Sequence, residues 1–379
     1  MRVLILSWRD VAHPEAGGSE TFVDRVGTRL AAMGHRVTVF TARYPGSLPD
    51  EVVEGCRYVR RGGRNSVYAQ AARYLLTHRD VDVVVDIQNG VPFWSPVWSR
   101  RPVVAVVHHV HREQWPEVFG PAKARFGWWL ESWLAPRLYA RERYLTVSEA
   151  TAAELTGLGI PAARITVAYS GNDLPDPRLT AGIPRTAYPS LVVLGRVVPH
   201  KRVELAVDTV AALRPRHPGL RLTVVGTGYW EEQVRRHAER LGVADAVDFA
   251  GFVDEATKHR LLAAAWVALL PSVKEGWGLV VVEAAAQGTP TVAFASAGGT
   301  QESVIDGVTG LLVDDEAGFV SAVERLLSSA PLRHALGEAA VAHAWQFSWD
   351  TTAKAVARVL EEATSPAPRP DDGAVHFES

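Results

Sequence analysis

The feature that most limits how this chain can fold is an alternation of short, branched apolar runs with longer amphipathic ones, made twice around an aperiodic break. The first series runs "RVLILS", "SETFVDRVGTRLAAMG", "RVTVFT", "SVYAQAARYLLTHR", "VDVVVD", "PVVAVVHH", a tryptophan-rich helical region, "RYLTVS", "TAAELTGLG" and "ITVAY". The rhythm stops in "DLPDPRLTAGIPRTAYP", which is rich in proline, and restarts with "SLVVLGR" through "TGLLV". Each pair of runs reads as a βα unit, and strands that are apolar nearly throughout are parallel strands covered by helices on both faces. The fold expected is therefore α/β, two tandem Rossmann-like doubly wound domains with a cleft between them: 1–172, a linker over 173–189, and 190–347. A helix follows at about 348–363, and the polar, proline-rich tail 364–379 is expected to be disordered.

Composition narrows the function classes. With 379 residues, 47% of them hydrophobic, the chain can bury two cores of ordinary size. Forty basic residues against forty-two acidic give a formal net charge of −2, so no global field draws nucleic acid and none is expected as a partner. Any anion must be held locally. A single cysteine, Cys56, excludes an internal disulfide framework and fits a reducing, cytoplasmic setting. "RVLILSW" is too short for a signal peptide or a membrane span, so neither is expected. Only five of the basic residues are lysines (Lys123, Lys201, Lys258, Lys274, Lys354), which makes each lysine mildly informative.

Three stretches carry chemistry. "HPEAGGSETFV" sets Gly17 and Gly18 between a strand and a helix, where a ligand can approach the backbone and the free N–H groups of a helix start attract phosphate. "LGRVVPHKRVELAV" places Arg196 and Lys201 at the end of the second domain's first strand, where open α/β sheets bind ligands. "PSVKEGWGLVVVEAAAQG" separates Glu275 from Glu283 by seven residues, with the N–H groups of Gly276, Trp277, Gly278 and Leu279 between them. Such a unit can hold a polyol on one carboxylate, a phosphate on the amides and a ribose on the other carboxylate. Each feature alone is equally an ordinary turn, a solvated cation pair or a helix flank.

"VDIQNGVPFWSP" supplies Asp86, Gln88, Asn89 and Trp94 at the first domain's cleft edge, suited to sugar hydroxyls and ring stacking. "HHVH" brings His108, His109 and His111 close, but neighbours on a strand point to opposite faces and no carboxylate or cysteine completes a shell, so no metal is expected. Asp80-x-Asp82 reads as strand-edge polarity.

Taken in order, "GGSE", "PVVAVVHH", "GRVVPHK", "VVGTG", "GFV", "EGWGLVVVE" and "GGTQESVIDGVTGLLV" resemble the retaining glycosyltransferases of family four, with the two-domain GT-B fold, over nearly the whole chain. The resemblance implies that Glu275 contacts donor-sugar hydroxyls, Glu283 the nucleotide ribose, Arg196 and Lys201 the donor diphosphate, and Gly17 and Gly18 the same diphosphate from the other domain. It puts His108 beside the reacting centre, His109 where an aspartate is common, and backbone near Gly226, Gly251 and Phe252 at the nucleotide. "FSWD" resembles the start of the family's last helix, which crosses back onto the first domain. "YSGND", with Ser170, Gly171 and Asn172, departs from the family's Asn-Gly. The function implied is transfer of a hexosyl unit, with retention and without a metal or other cofactor, from a UDP- or GDP-linked sugar to a hydroxyl acceptor such as a sugar, glycolipid or natural product. A nonhydrolysing sugar-nucleotide epimerase and an inactive sugar-nucleotide-binding subunit are the alternatives.

The stretch 121–144, "PAKARFGWWLESWLAPRLYARERY", sets Phe126, Trp129, Leu130, Trp133 and Leu134 at helical spacing among Lys123, Arg125, Arg137, Arg141 and Arg143. Packing against the sheet is the commoner fate of such a stripe. The other is contact with an anionic membrane, at the inner face of the cell membrane. Pro136 is expected to split the stretch into two short helices.

Overall fold

The computed structural model describes residues 1–173 and 182–365; of the linker expected over 173–189 and the tail expected over 364–379, residues 174–181 and 366–379 lie outside the described residues. The first domain's strands are β1 (Arg2–Leu6), β2 (Arg36–Thr41), β3 (Asp50–Val53), β4 (Cys56–Arg60), β5 (Val83–Gln88), β6 (Val103–Val107), β7 (Arg143–Thr146) and β8 (Ile165–Val167). They form one sheet in the order β3-β4-β2-β1-β5-β6-β7-β8. All pairs are parallel except β3 with β4. That hairpin is absent from the apolar pattern, since "DEVV" is largely exposed and "CRYVR" mixes charge with burial. Its turn is made by Glu54 and Gly55, both at positive φ (47° and 81°), the handedness that suits twisted strands.

The second domain's strands are β9 (Ser190–Leu194), β10 (Arg221–Val225), β11 (Val247–Gly251), β12 (Val267–Leu270), β13 (Thr291–Phe294) and β14 (Gly310–Val313). Their order, β11-β10-β9-β12-β13-β14, is parallel throughout. Strand order reverses between β1 and β5 in one sheet and between β9 and β12 in the other. The loops leaving those strands diverge at their carboxyl ends and open a crevice there. The glycine pair follows β1, Arg196 and Lys201 follow β9, and Glu275 follows β12.

The domains share apolar packing. One cluster joins Val3, Ile5 and Val26 of the first domain to Trp277, Val282 and Ala285 of the second and to Trp349 and Val356 of the last helix, Trp349–Thr364. That helix packs on the helix Gly18–Ala32, with the Trp349 ring 6.2 Å from Phe22. The departure from the family pattern at "YSGND" falls where the chain passes from one domain to the other. Asn172 N donates to Phe347 O at 3.2 Å and Asn172 Nδ2 to Val282 O at 3.0 Å. A Cβ on Gly171 would stand 2.1 Å from Trp349 N.

The tryptophan-rich region differs from expectation twice. Pro136 does not split it: the helix Pro121–Trp129 runs through a π turn, Leu130–Leu134, into the helix Ala135–Leu138. Proline removes one N–H and crowds the preceding turn, and the wider turn accommodates both. The stripe also does not pack on the sheet. Phe126, Trp129 and Trp133 are 60%, 42% and 44% exposed. Asp80 and Asp82 both pair with Arg2, at the sheet edge away from the crevice.

Gly171→Ala forces two crossing backbones apart. We expect it to cost about 1–3 kcal/mol, seen as a lower urea midpoint, whereas Gly120→Ala, in open space, should leave the midpoint near that of the parent.

Candidate active site

Gly17 caps the helix Gly18–Ala32 without a side chain of its own, and its N–H donates to Glu20 Oε2 at 2.7 Å. A Cβ on Gly17 would lie 3.3 Å from Arg196 Nε, and one on Gly18 3.2 Å from Leu279 Cδ1. The glycine pair thus faces the other domain's cation and helix start across a narrow gap. Among the described residues Arg196 has no ion-pair partner, and burial, then the Arg9 guanidinium, lowers its hold on its proton.

Each glutamate of the seven-residue unit has its own lysine. Lys201 Nζ stands 2.5 Å from Glu275 Oε1, and Lys258 Nζ 2.6 Å from Glu283 Oε1. Both carboxylates are mostly buried, with side chains 11% and 19% exposed. The backbone of Glu275 is clamped, its N–H donating to Ala297 O at 2.8 Å and its carbonyl accepting from Gly299 N at 3.1 Å. "GGTQES" therefore fixes the loop that carries Glu275. Gly278 sits at φ 85° and leads into the helix Leu279–Ala286, which has no side-chain cap and leaves its first N–H groups free toward the crevice.

His108 stands just beyond β6 with both ring nitrogens buried and without hydrogen-bond partners. Burial draws it down to about 4, with Glu20 opposing and His111 adding to the effect, so it is neutral at pH 7. Phe22 meets it edge-on at 5.1 Å. Its backbone touches the other domain: a Cβ on Gly276 would stand 2.2 Å from His108 O. His200, beside Lys201, is also drawn down to about 4, by burial first and then by Lys201 and Arg196.

His109, His111 and the acceptor-edge residues take different places. The three histidines lie beyond the strand rather than on it, with the His109 and His111 rings 4.2 Å apart. His109 Nε2 meets Gln114 Oε1 at 3.1 Å, and His111 Nδ1 meets Glu131 Oε1 at 2.8 Å. Among the described residues no group of three His, Cys, Asp or Glu is placed to hold a metal ion. Gln88 is nearly buried with Nε2 unpartnered, Asn89 is half-buried, and Trp94 adopts φ 58° ahead of the short helix Ser95–Trp98.

One expectation is corrected, and two others are narrowed to the backbone. Asp86 is fully buried and accepts from Tyr139 Oη and Ser95 Oγ, each at 2.5 Å, and from Phe93 N at 3.2 Å, so it anchors the loop under the crevice instead of meeting an acceptor. The Trp277 ring is only 3% exposed and packs on Tyr169 and Phe347 at 4.7 and 4.8 Å, which leaves its backbone alone at the crevice. Gly226, at φ 118°, is required by the sheet itself, because a Cβ there would meet Gly195 O at 2.1 Å. Gly251 ends β11 at φ 69°, and Phe252 beside it is 88% exposed.

Several residues escaped sequence reasoning. Arg9 is 7% exposed and lies 2.9 Å from Glu15 and 3.4 Å from Glu20. It follows β1, the position rule that singled out Arg196, but forty basic residues with only five lysines hide one arginine among many. Lysine scarcity was the usable signal for Lys258 and for Lys274, which ties the Glu275 loop to Glu154 of the first domain. Glu302 reaches across the cleft and accepts from Glu149 N and Ala150 N, both at 2.8 Å, capping the helix Glu149–Gly157 of the opposite domain.

Comparison with known proteins agrees with this arrangement. Residues 16–175 match the family described as "Glycosyltransferase Family 4", and residues 183–343 match "Glycosyl transferases group 1". The chain is 30% identical to the glycogen synthase of Mycobacterium tuberculosis, over 95% of this chain and 94% of that one. It is 38% identical to the D-inositol 3-phosphate glycosyltransferase of Acidothermus cellulolyticus, over 92% of this chain and 86% of that one. Its fold is similar to Anabaena Alr3699/HepE, solved in complex with UDP-glucose: TM-score 0.75, 20% identity, 96% of this chain and 100% of that one. Two doubly wound domains facing each other across such a cleft make the GT-B fold, and the sequence matches make its class a glycosyltransferase. The chain belongs to glycosyltransferase family 4.

Buried neutral histidines make stability depend on pH. A ring at about 4 when folded and about 6.5 when unfolded favours the folded state fully above pH 6.5. That contribution is lost as pH falls from 6.5 to 4. We expect each of His108 and His200 to contribute a loss of about 2 kcal/mol between pH 7 and pH 5. Urea melts should show a smaller pH 7-to-5 difference for His108→Gln than for the parent.

Proposed function

We propose that the protein is a retaining hexosyltransferase that uses a UDP- or GDP-linked sugar as donor and a hydroxyl-bearing acceptor, without a metal ion or other cofactor. The observation that carries this reading is the crevice wall on which Glu275 and Glu283 each face a lysine opposite the Gly17–Gly18 pair. The donor's diphosphate lies between Arg196, Lys201 and the N–H groups of Gly18 and of Trp277 to Leu279. Glu283 takes the ribose hydroxyls and Glu275 the sugar hydroxyls. Lys201 then serves both the Glu275 carboxylate and the phosphate.

Breaking the bond between the anomeric carbon and the phosphate oxygen builds positive charge on the sugar and negative charge on the departing diphosphate. Fixed cations and amide dipoles at that oxygen stabilise the transition state more than the ground state. Glu275, close to the sugar, offsets the positive partner. The acceptor hydroxyl adds to the same face of the anomeric carbon, and its proton passes to the leaving phosphate oxygen, which retains configuration. A histidine drawn down to about 4 is a weak base at neutral pH, so His108 serves as a neutral hydrogen-bonding group at the reacting centre. Gln88, Asn89 and His109 form the acceptor edge.

Four measurements test the reading. A matched nucleotide sugar at a hundred times its dissociation constant should stabilise the protein by about 2.7 kcal/mol in thermal shift. Glu275→Gln should lower kcat roughly a hundredfold or more while nucleoside diphosphate still binds; near-parent turnover would remove Glu275 from the sugar site. Arg196→Ala should lower kcat and weaken donor binding together, because the diphosphate is charged before and during the reaction. Finally, activity should survive EDTA; loss restored by a divalent ion would overturn metal independence.

A further inference from the structure

Outside the crevice, the helical run Pro121–Leu138 carries an unusual outer face. Phe126, Trp129 and Trp133 form a row of stacked rings, with centroids 5.9 and 5.3 Å apart and planes 23° and 18° from parallel. Arg137 continues the row with its guanidinium 4.1 Å from the Trp133 ring. The spacing is three, four and four residues, and the π turn at Leu130–Leu134 still keeps all four on one side. Large rings left in water forgo about 25 cal/mol for each Å² that burial would cover, and here three lie side by side. Such a patch marks a surface that meets something.

The charges say what it meets. Between Phe119 and Arg141 the exposed charges are all positive: Lys123, Arg125, Arg137 and Arg141. The one acid in that span, Glu131, faces inward and accepts from His111 N at 3.0 Å and Trp115 Nε1 at 2.8 Å. The chain as a whole has a formal net charge of −2, so the positive face is local. A second copy meeting this face by two-fold symmetry would set cations against cations. An anionic bilayer fits both halves of the face, with rings at the headgroup boundary and cations on lipid phosphates. Among the described residues no helix is long and apolar enough to cross a membrane, so the contact is peripheral.

We infer that the Phe126–Trp129–Trp133 row, with its flanking cations, docks the protein on an anionic lipid surface. The inner side of the same run leads to the crevice. Glu131 holds His111 and Trp115, the His111 ring lies on His109, and the helix Gln114–Val118 packs against Pro199–Lys201. Docking therefore sets the acceptor edge close to the bilayer. That this edge receives an acceptor rests on the transferase reading; the docking itself does not.

The test is sedimentation of the full chain with phosphatidylcholine vesicles with and without a quarter phosphatidylglycerol. Binding is expected only to the anionic vesicles, falling in half-molar salt, with a blue shift of tryptophan fluorescence. Trp129→Ser with Trp133→Ser should weaken it roughly tenfold or more, as should Arg137→Glu with Arg141→Glu. Both variants should keep the parent melting temperature and donor-induced thermal shift, because these side chains are exposed. Absence of vesicle binding at low salt overturns the proposal, and so does a self-association that Trp129→Ser with Trp133→Ser abolishes without any vesicle binding. A failed donor thermal shift with intact vesicle binding would instead count against the transferase reading.

Discussion

The rest of the structure depends on how closely the two domains' backbones approach one another, and glycine alone allows it. Gly276 of the second domain lies against the carbonyl of His108 of the first, and Gly171, where the chain leaves the first domain, against the chain entering the last helix; within the second domain Gly299 lies against the carbonyl of Gly276 and holds that loop in place. A methyl group at any of these positions would sit well inside contact distance of backbone, which cannot yield as a side chain can. The distance across the crevice is consequently fixed by covalent geometry more than by side-chain packing. A ligand of the right span then meets groups already in place, and preorganisation of that kind is where electrostatic catalysis gains most.

Charge is arranged to the same end. Among the described residues Arg196 stands without a carboxylate partner beside a glycine pair, while the two glutamates of the opposite wall are each held by a lysine. Arg196 is aimed at the gap between domains, where an anionic ligand offsets the cost of burying it. Contacts that cross the crevice serve closure instead: the ion pair of Lys274 with Glu154, and the hydrogen bonds Glu302 accepts from the helix start at Glu149. His108 and His200 are neutral at pH 7, so the charge of the crevice is carried by its arginines, lysines and carboxylates.

Much of this was legible in the chain. Apolar runs with the right period specify parallel strands wherever both faces are covered, because burial leaves no polar position to choose; this placed both sheets, and with them Arg196, Lys201 and Glu275 at carboxyl ends. The hairpin Asp50–Arg60 was illegible for the converse reason: edge strands are half in water and carry charge, and its turn depends on backbone angles that Glu54 does not advertise.

What the sequence by itself determined is the order of elements and the residue types at the loop ends, since both follow from local periodicity and from glycine and charge in short stretches. Only the tertiary structure decided which way side chains face. Asp86 and Trp277 sit in stretches suited to a ligand, yet one is consumed by Tyr139 and Ser95 and the other by Tyr169 and Phe347. Phe126, Trp129 and Trp133 have a pattern suited to a core, yet they face outward, because Glu131 on the other side of the helix is satisfied by His111 and Trp115. A helix has two faces with similar claims to burial here, and the choice between them was made by partners 16 and 20 residues away, beyond the reach of any local pattern.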